Sequence, residues 1–222
     1  MNHHTTLQGI DVSHWAGKIN FRRVKKSGIR IVYIKATQGT DYVDPDFERN
    51  YRDAHREELN IGFYHYVTAR NVNEAAEEAR FFVSRIRDKV QHARAAMDFE
   101  TFGSLTTAEI REISLRFLKT LERELRYLPI IYSDASNAST HFADQHLVKY
   151  PLWIADYGVS HPVMENPWHR WSGWQYTDQG RVHGIAGDVD RDHFRKDILI
   201  YRDSRREDDR ETRETEHSHS NS

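Results

Sequence analysis

The sequence predicts an α/β protein folded as an irregular, TIM-like (β/α) barrel. Three observations predict it. Eight short apolar runs, rich in β-branched and aromatic residues, recur through residues 8–201 and read as strands. In the first 130 residues longer amphipathic segments separate these runs, and such alternation builds a parallel sheet. After residue 150 the helical segments thin out, so the later strands are expected to be joined by loops. The unit is smaller than the ~250 residues of a full barrel of this kind.

The elements follow in order. Ile10-Asp11-Val12 is the first strand, after Gly9. Ile29–Ala36 is a second, dense in β-branched residues. Asp46–Leu59 has a helical pattern, with Pro45 just before it. Ile61–Tyr66 is a strand, and Asn73–Val90 a helix with Asn73 as its expected N-cap. Ala95–Asp98 is a short buried strand. Thr106 and Glu109 form a capping box that opens a helix to Tyr127, with Leu115, Leu118, Leu121 and Leu125 on one face. Ile130–Ser133, Leu152–Ala155, Trp174–Tyr176 and Gly187–Asp190 complete the strands.

Composition narrows the function. The 222 residues contain no cysteine, which excludes disulfides, thiolate catalysis and sulfur-ligated metals. Lys+Arg 32 against Asp+Glu 34 gives a net charge of −2, so no nucleic-acid partner is expected. No stretch reaches the ~18 apolar residues of a membrane span, so no membrane insertion is expected. Residues 1–7 read as a flexible N-terminus without the basic and apolar regions of a signal peptide. Residues 202–222 carry five Arg, seven Asp/Glu and no large apolar residue, and read as a disordered charged tail. Between them, residues 8–201 read as one domain, with no separate wall-binding module and no linker.

In a barrel of this type the reactive groups stand at strand ends. Four strand ends carry carboxylates: Asp11, Asp98 with Glu100, Asp156, and Asp188 with Asp190. Asp98-x-Glu100 is the sharpest feature. Residues two apart on a strand face the same side, ~6.5–7 Å apart. Two neighbouring carboxyls resist double ionisation, and one is then held as an acid near neutrality. Protonation of a glycosidic oxygen needs such an acid. Competing readings are structural. Asp11 equally fits a turn cap, and Lys35 fits a plain ion pair with a carboxylate better than a chemical role. Trp153, Trp171 and Trp174 fit a core, whereas Trp168 and Trp171 sit in a loop-like context beside Pro167 and Gly173. His14, His65 and His183 are isolated, and His217 and His219 belong to the solvated tail, so no metal is expected. P-loop, Rossmann and α/β-hydrolase motifs are missing from the sequence.

Eight segments in order carry a resemblance. They are Gly9-Ile10-Asp11-Val12-Ser13-His14-Trp15, Tyr33-Ile34-Lys35-Ala36-Thr37-Gln38-Gly39, Asp44-Pro45-x-Phe47, Gly62-Phe63-Tyr64-His65-Tyr66, Asp98-Phe99-Glu100, Pro151-Leu152-Trp153-Ile154-Ala155-x-Tyr157, Trp174-Gln175-Tyr176 and Gly184-Ile185-x-Gly187-x-Val189-Asp190. Together they resemble family 25 of the glycoside hydrolases, the N-acetylmuramidase lysozymes. The resemblance spans about residues 8–195. It implies five β/α units followed by three further strands. It implies hydrolysis of the β-1,4 bond between N-acetylmuramic acid and N-acetylglucosamine in peptidoglycan, at the cell wall, by a monomer that needs no cofactor. Glu100 takes the place of the general acid, Asp98 of its companion, and Asp11 and Asp190 of two further acidic positions. Tyr64, Trp153, Tyr157 and Gln175 match groove positions, and Lys35, Gln38 and Tyr132 are grouped with them as substrate-binding.

The chain departs from the family at Gln38, where Glu is frequent, at Ala96-Met97 and at Phe21. None of these removes a catalytic carboxylate. Two mechanisms stay open at this point: attack by the substrate's own acetamido group, and direct attack by water. A chitinase reading fails because Arg94-Ala95-Ala96-Met97 precedes Asp98 in place of an acidic run. A non-catalytic peptidoglycan-binding barrel is the remaining alternative.

Overall fold

The computed structural model describes residues 6–163 and 167–200. The charged tail and most of the N-terminal segment lie outside these residues. Strand β1 (Leu7–Val12) is followed by α1 (Phe21–Lys26), β2 (Ile31–Gln38), a two-residue β3 (Tyr42–Val43) and α2 (Phe47–Arg56). Then come β4 (Asn60–Tyr66), α3 (Val72–Ile86), β5 (Ala96–Asp98), α4 (Thr107–Leu125), β6 (Ile130–Asp134) and α5 (Ala135–Thr140). The chain closes with β7 (Leu152–Ala155), β8 (Gly173–Gly180) and β9 (Val189–Phe194), joined without α-helices.

The sheet runs β1-β9-β8-β7-β6-β5-β4-β2 and closes through β1–β2, with β3 folded back on β2. It is therefore an eight-stranded barrel of five β/α units plus three strands, as expected. Neighbours are parallel except around β9, which is antiparallel to both β8 and β1. The parallel pairing expected for the first 130 residues is present, and it continues as far as β8. Asp190 is the second residue of β9, not its end, and the reversed direction still brings it to the rim where the other strands finish.

Inside and outside follow the two-residue period of a strand. Val32, Ile34, Ile61, Phe63, Met97, Ile131, Leu152 and Ile154 face outward and pack with the helices. The interior is plugged by Ile31, Tyr33, Ala96, Ile130, Trp153 and Phe194, all buried. Glycine is needed where these rings press on the wall. A Cβ on Gly173 would meet Trp153 Cδ1 at 2.7 Å and Phe194 Cε1 at 2.8 Å. The plug closes one end of the barrel, so only the other end is open to ligands.

Local signals placed the helices well. The Thr106 hydroxyl accepts from Glu109 N and the Glu109 carboxylate accepts from Thr106 N, completing the capping box of α4. Helix α3 starts earlier than expected, because Asn71 rather than Asn73 accepts from the Asn73 and Glu74 amides. Trp168 lies in a loop, as expected, yet it is buried, with Nε1 donating to Tyr150 O at 2.8 Å. Its loop is thus part of the core. Among the described residues, no helix is long and apolar enough to cross a membrane.

Candidate active site

The open end of the barrel holds a cavity of about 270 Å³. Its lining includes Asp11, Lys35, Tyr64, Asp98, Glu100, Tyr132, Trp153, Gln175 and Asp190. Nine of the proposed site residues thus converge from eight different strands or strand ends. Two others stand beside the cavity. Gln38 accepts a hydrogen bond from Lys35 Nζ at 2.9 Å, and Tyr157 donates to Gln175 Oε1 from an exposed loop.

Each position follows from strand parity. Asp98 ends β5, facing inward, and Glu100 lies two residues on, at the same rim. Asp98 is 7% exposed, and its Oδ1 has no hydrogen-bond partner among the described residues. Burial raises its carboxyl well above the usual aspartate range, the charge of Glu100 raises it further, and Lys35 pulls it back. Glu100 reaches solvent, but desolvation by the cleft walls raises it, followed by the charges of Asp134 and Asp190. Lys35 opposes that rise too. Both carboxyls hold their protons better than free ones do.

Lys35 is the only cation among the lining residues. It forms no ion pair among the described residues; its Nζ bonds Gln38 and sits 5.0 Å from the centre of the Tyr66 ring. The simple ion-pair expectation for Lys35 is therefore replaced by a cation held over an aromatic face. Partial burial lowers its pKa, against the pull of Asp98, Asp44 and Glu100. A bulge in β2 sets this geometry. Lys35 pairs with Tyr64, Thr37 with His65 and Gln38 with Tyr66, so Ala36 is the extra residue. Bulges re-aim side chains. Here Lys35 and Gln38 both point to the cleft, while Thr37 turns outward to His65 at 2.7 Å.

His65 is not isolated. Its Nε2 lies 3.0 Å from Glu78 Oε2, and Glu78 also accepts from Thr68 N and Thr68 Oγ1. Thr37, His65 and Glu78 are all buried, and burial lowers the His65 pKa despite the Glu78 contact. The network ties β2, β4 and α3 together directly behind the bulge.

On the far side, Asp11 faces Asp190 across the β1–β9 ladder. Asp11 does not cap a turn; Ser13 does, accepting from Trp15 N. Gln175 Nε2 donates to Asp11 Oδ2 at 2.7 Å, while Gln175 Oε1 accepts from Tyr132 OH at 2.9 Å and from Tyr157. Burial raises Asp11, and the charges of Asp190 and Asp192 raise it further. Burial raises Asp190 to about 6.

Five contributors escaped the sequence reading as site residues: Ser13, Trp15, Tyr66, Asp134 and Asp192. Ser13, Trp15 and Tyr66 line the cavity. Asp134 raises Glu100. Asp192 is fully buried below Asp190 and accepts from Trp153 Nε1 at 2.9 Å. Parity alone points to three of them. Tyr66, Asp134 and Asp192 each lie two residues beyond a recognised inward residue, namely Tyr64, Tyr132 and Asp190. Among the described residues, no group of three or more His, Asp or Glu is arranged to hold a metal ion.

Comparison with known proteins agrees with this geometry. The model for "Glycosyl hydrolases family 25" matches residues 10–185. The chain is 34% identical to Lysozyme M1 of Streptomyces globisporus over 203 residues, covering 85% of this chain and 67% of that protein. It is 35% identical to an N,O-diacetylmuramidase of Chalaropsis sp over 205 residues, covering 83% and 96%. Its fold superposes on the crystal structure of a bacterial lysozyme from Streptomyces coelicolor with a TM-score of 0.75 and 33% identity, covering 86% and 92%. With a family match across most of the barrel and relatives above 30% identity over most of the chain, this protein belongs to the glycosyl hydrolases of family 25.

Proposed function

We propose that this enzyme is a muramidase that hydrolyses the β-1,4 bond between N-acetylmuramic acid and N-acetylglucosamine in peptidoglycan, with Glu100 as general acid and base. The observation that carries the assignment is the pair at β5: Asp98 and Glu100 share one cleft, both with raised pKa and with Lys35 as the one lining cation. Glu100 is the solvent-reaching member and is placed to give a proton to the leaving glycosidic oxygen. The buried Asp98 is placed to orient the 2-acetamido group of the muramic sugar. The acetamido oxygen attacks C1 as the C1–O bond breaks, and Glu100 then takes a proton from the water that opens the cyclic intermediate. Asp11 and Asp190 form the opposite wall. Tyr64, Tyr132, Trp153, Tyr157 and Gln175 shape the groove, and Lys35 with Gln38 set its charge. The working unit is a monomer, with residues 8–201 as its catalytic barrel. A single peak at monomer mass in light scattering checks this.

The test is digestion of purified peptidoglycan by wild type and Glu100→Gln, with muropeptides reduced by borohydride and weighed by mass spectrometry. Reduced muramic acid ends are expected from wild type. General acid catalysis typically supplies ~10²–10⁴-fold, so Glu100→Gln is expected to lose about that much. Reduced glucosamine ends would place the cut at the other bond. Binding without release of any reducing end would favour a non-catalytic barrel. Proton NMR of the first product distinguishes acetamido attack, which retains the β-anomer, from direct water attack, which gives the α-anomer.

A further inference from the structure

One large aromatic side chain at the cleft rim has no place in the chemistry above. Trp15 lines the cavity and yet is 85% exposed, the most exposed large apolar residue among those described. A lone exposed apolar side chain is ordinary on a protein surface; Trp15 is set apart by standing in the wall of the cleft on a braced turn. The backbone around it is built rather than loose. Ser13 caps the short turn at His14–Ala16, and Gly17 leaves it with φ +65°, a value that favours glycine. His14 fixes the turn to the rest of the barrel. Its backbone N–H donates to Asp44 Oδ2 at 3.1 Å, and its ring Nδ1 lies 2.7 Å from the same oxygen. Asp44 is 2% exposed, accepts from Asp46 N through its other oxygen, and donates its own N–H to Ala36 O. The His14 ring then packs against the indole, with centroids 4.4 Å apart and planes at 38°. One edge of the indole is occupied by His14, while most of its surface stays open and continuous with the cleft.

We infer that Trp15 is a carbohydrate platform: its exposed face stacks on a pyranose ring of the glycan strand at the rim, and His14 with Asp44 are positioning residues that hold it there. This rests on the muramidase reading for the identity of the strand. Flat, weakly polar C–H faces of sugars suit the face of an indole, which carries partial negative charge. Trp15 projects from the end of β1, three strands round the barrel from β5. The sugar stacked there is one beyond the bond being cut. Its loss then weakens binding of long strands and leaves the chemical step alone.

The experiment measures binding of soluble β-1,4-linked GlcNAc–MurNAc oligomers of two and of four disaccharides, by calorimetry, to Glu100→Gln and to Glu100→Gln/Trp15→Ala. An aromatic stack of this kind corresponds to about three- to tenfold in affinity. That loss is expected for the longer oligomer. Trp15→Tyr is expected to restore most of it, and His14→Ala to lose part of it. In the otherwise wild-type enzyme, Trp15→Ala raises KM on the longer oligomer by the same factor and changes kcat by less than about twofold. The melting temperature stays constant, because the side chain is exposed. Equal affinity of the two proteins for the longer oligomer overturns the platform while the muramidase reading stands. A failure of Glu100→Gln to bind either oligomer, together with no reducing ends released by wild type, overturns both.

Discussion

Glu78→Ala tests the idea that a buried network, away from every proposed catalytic group, holds the bulge that points Lys35 and Gln38 into the cleft. The Glu78 carboxylate accepts three hydrogen bonds, from Thr68 N at 3.0 Å, Thr68 Oγ1 at 2.8 Å and His65 Nε2 at 3.0 Å. Glu78 is 2% exposed and His65 fully buried, so water cannot replace the lost oxygens without opening the α3 interface. Each stranded buried donor costs about 1–3 kcal/mol, and the three share one anchor, so their costs do not simply add. Removing one partner of a buried pair typically costs ~3–5 kcal/mol. A chain of this size shifts its midpoint by ~2–4 °C per kcal/mol, so Tm is expected to fall on the order of 10 °C. Scanning calorimetry at pH 7.5 reads this directly. Glu78→Gln keeps one acceptor oxygen and is expected to lose less. His65 adds a pH signature. Burial lowers its pKa below 6.5, so between that value and 6.5 the unfolded chain takes up a proton that the folded chain refuses. This part of the stability is present above 6.5 and is lost on acidification. A Tm within about 3 °C of wild type for Glu78→Ala would refute the account, since that is only ~1 kcal/mol.

Four further outcomes follow from the same geometry. Lys35→Met removes the cation that lowers both Asp98 and Glu100, so the acid form of Glu100 persists to higher pH and the alkaline limb of the kcat/KM profile moves upward. Asp98→Asn removes a buried carboxyl whose folded pKa lies well above the ordinary 3.8; the stability tied to that proton is lost as pH rises through the folded value, so the variant is expected to melt later than wild type at neutral pH, to lose this advantage towards pH 3.8, and to turn over substrate more slowly. Gly173→Ala forces a methyl against Trp153 and Phe194 at under 3 Å and is expected to destabilise by ~1–3 kcal/mol, read in urea. Thr106→Ala breaks the capping box of α4 and is expected to cost about 1 kcal/mol without any change in kcat.

Sequence by itself determined whatever depends on neighbours along the chain. The two-residue period placed Asp98 and Glu100 on one inward face at the end of β5, whereas Tyr64 was supplied by the family resemblance. The Thr106–Glu109 box located the start of α4 within a residue, because a cap is a contact between residues three apart. The thinning of helices after residue 150 foretold β7, β8 and β9 running on without α-helices. Tertiary structure alone decided the features whose partners are remote in sequence. Only the closure of the barrel sets Asp11 against Asp190 and hangs Gln175 from Asp11, 164 residues away. Only the antiparallel course of β9 brings Asp190 to the open end and Asp192 beneath it. The bulge at Ala36 shifts strand parity by one residue, so a two-residue period counted from Lys35 would turn Gln38 away from the cleft. Trp15 carries no period at all: its turn is short and local, but the His14–Asp44 contact that places it spans 30 residues. Periodicity along a strand reports which side a residue faces. It carries no information on which other strand stands opposite, and in this enzyme much of the cleft chemistry lies in those pairings.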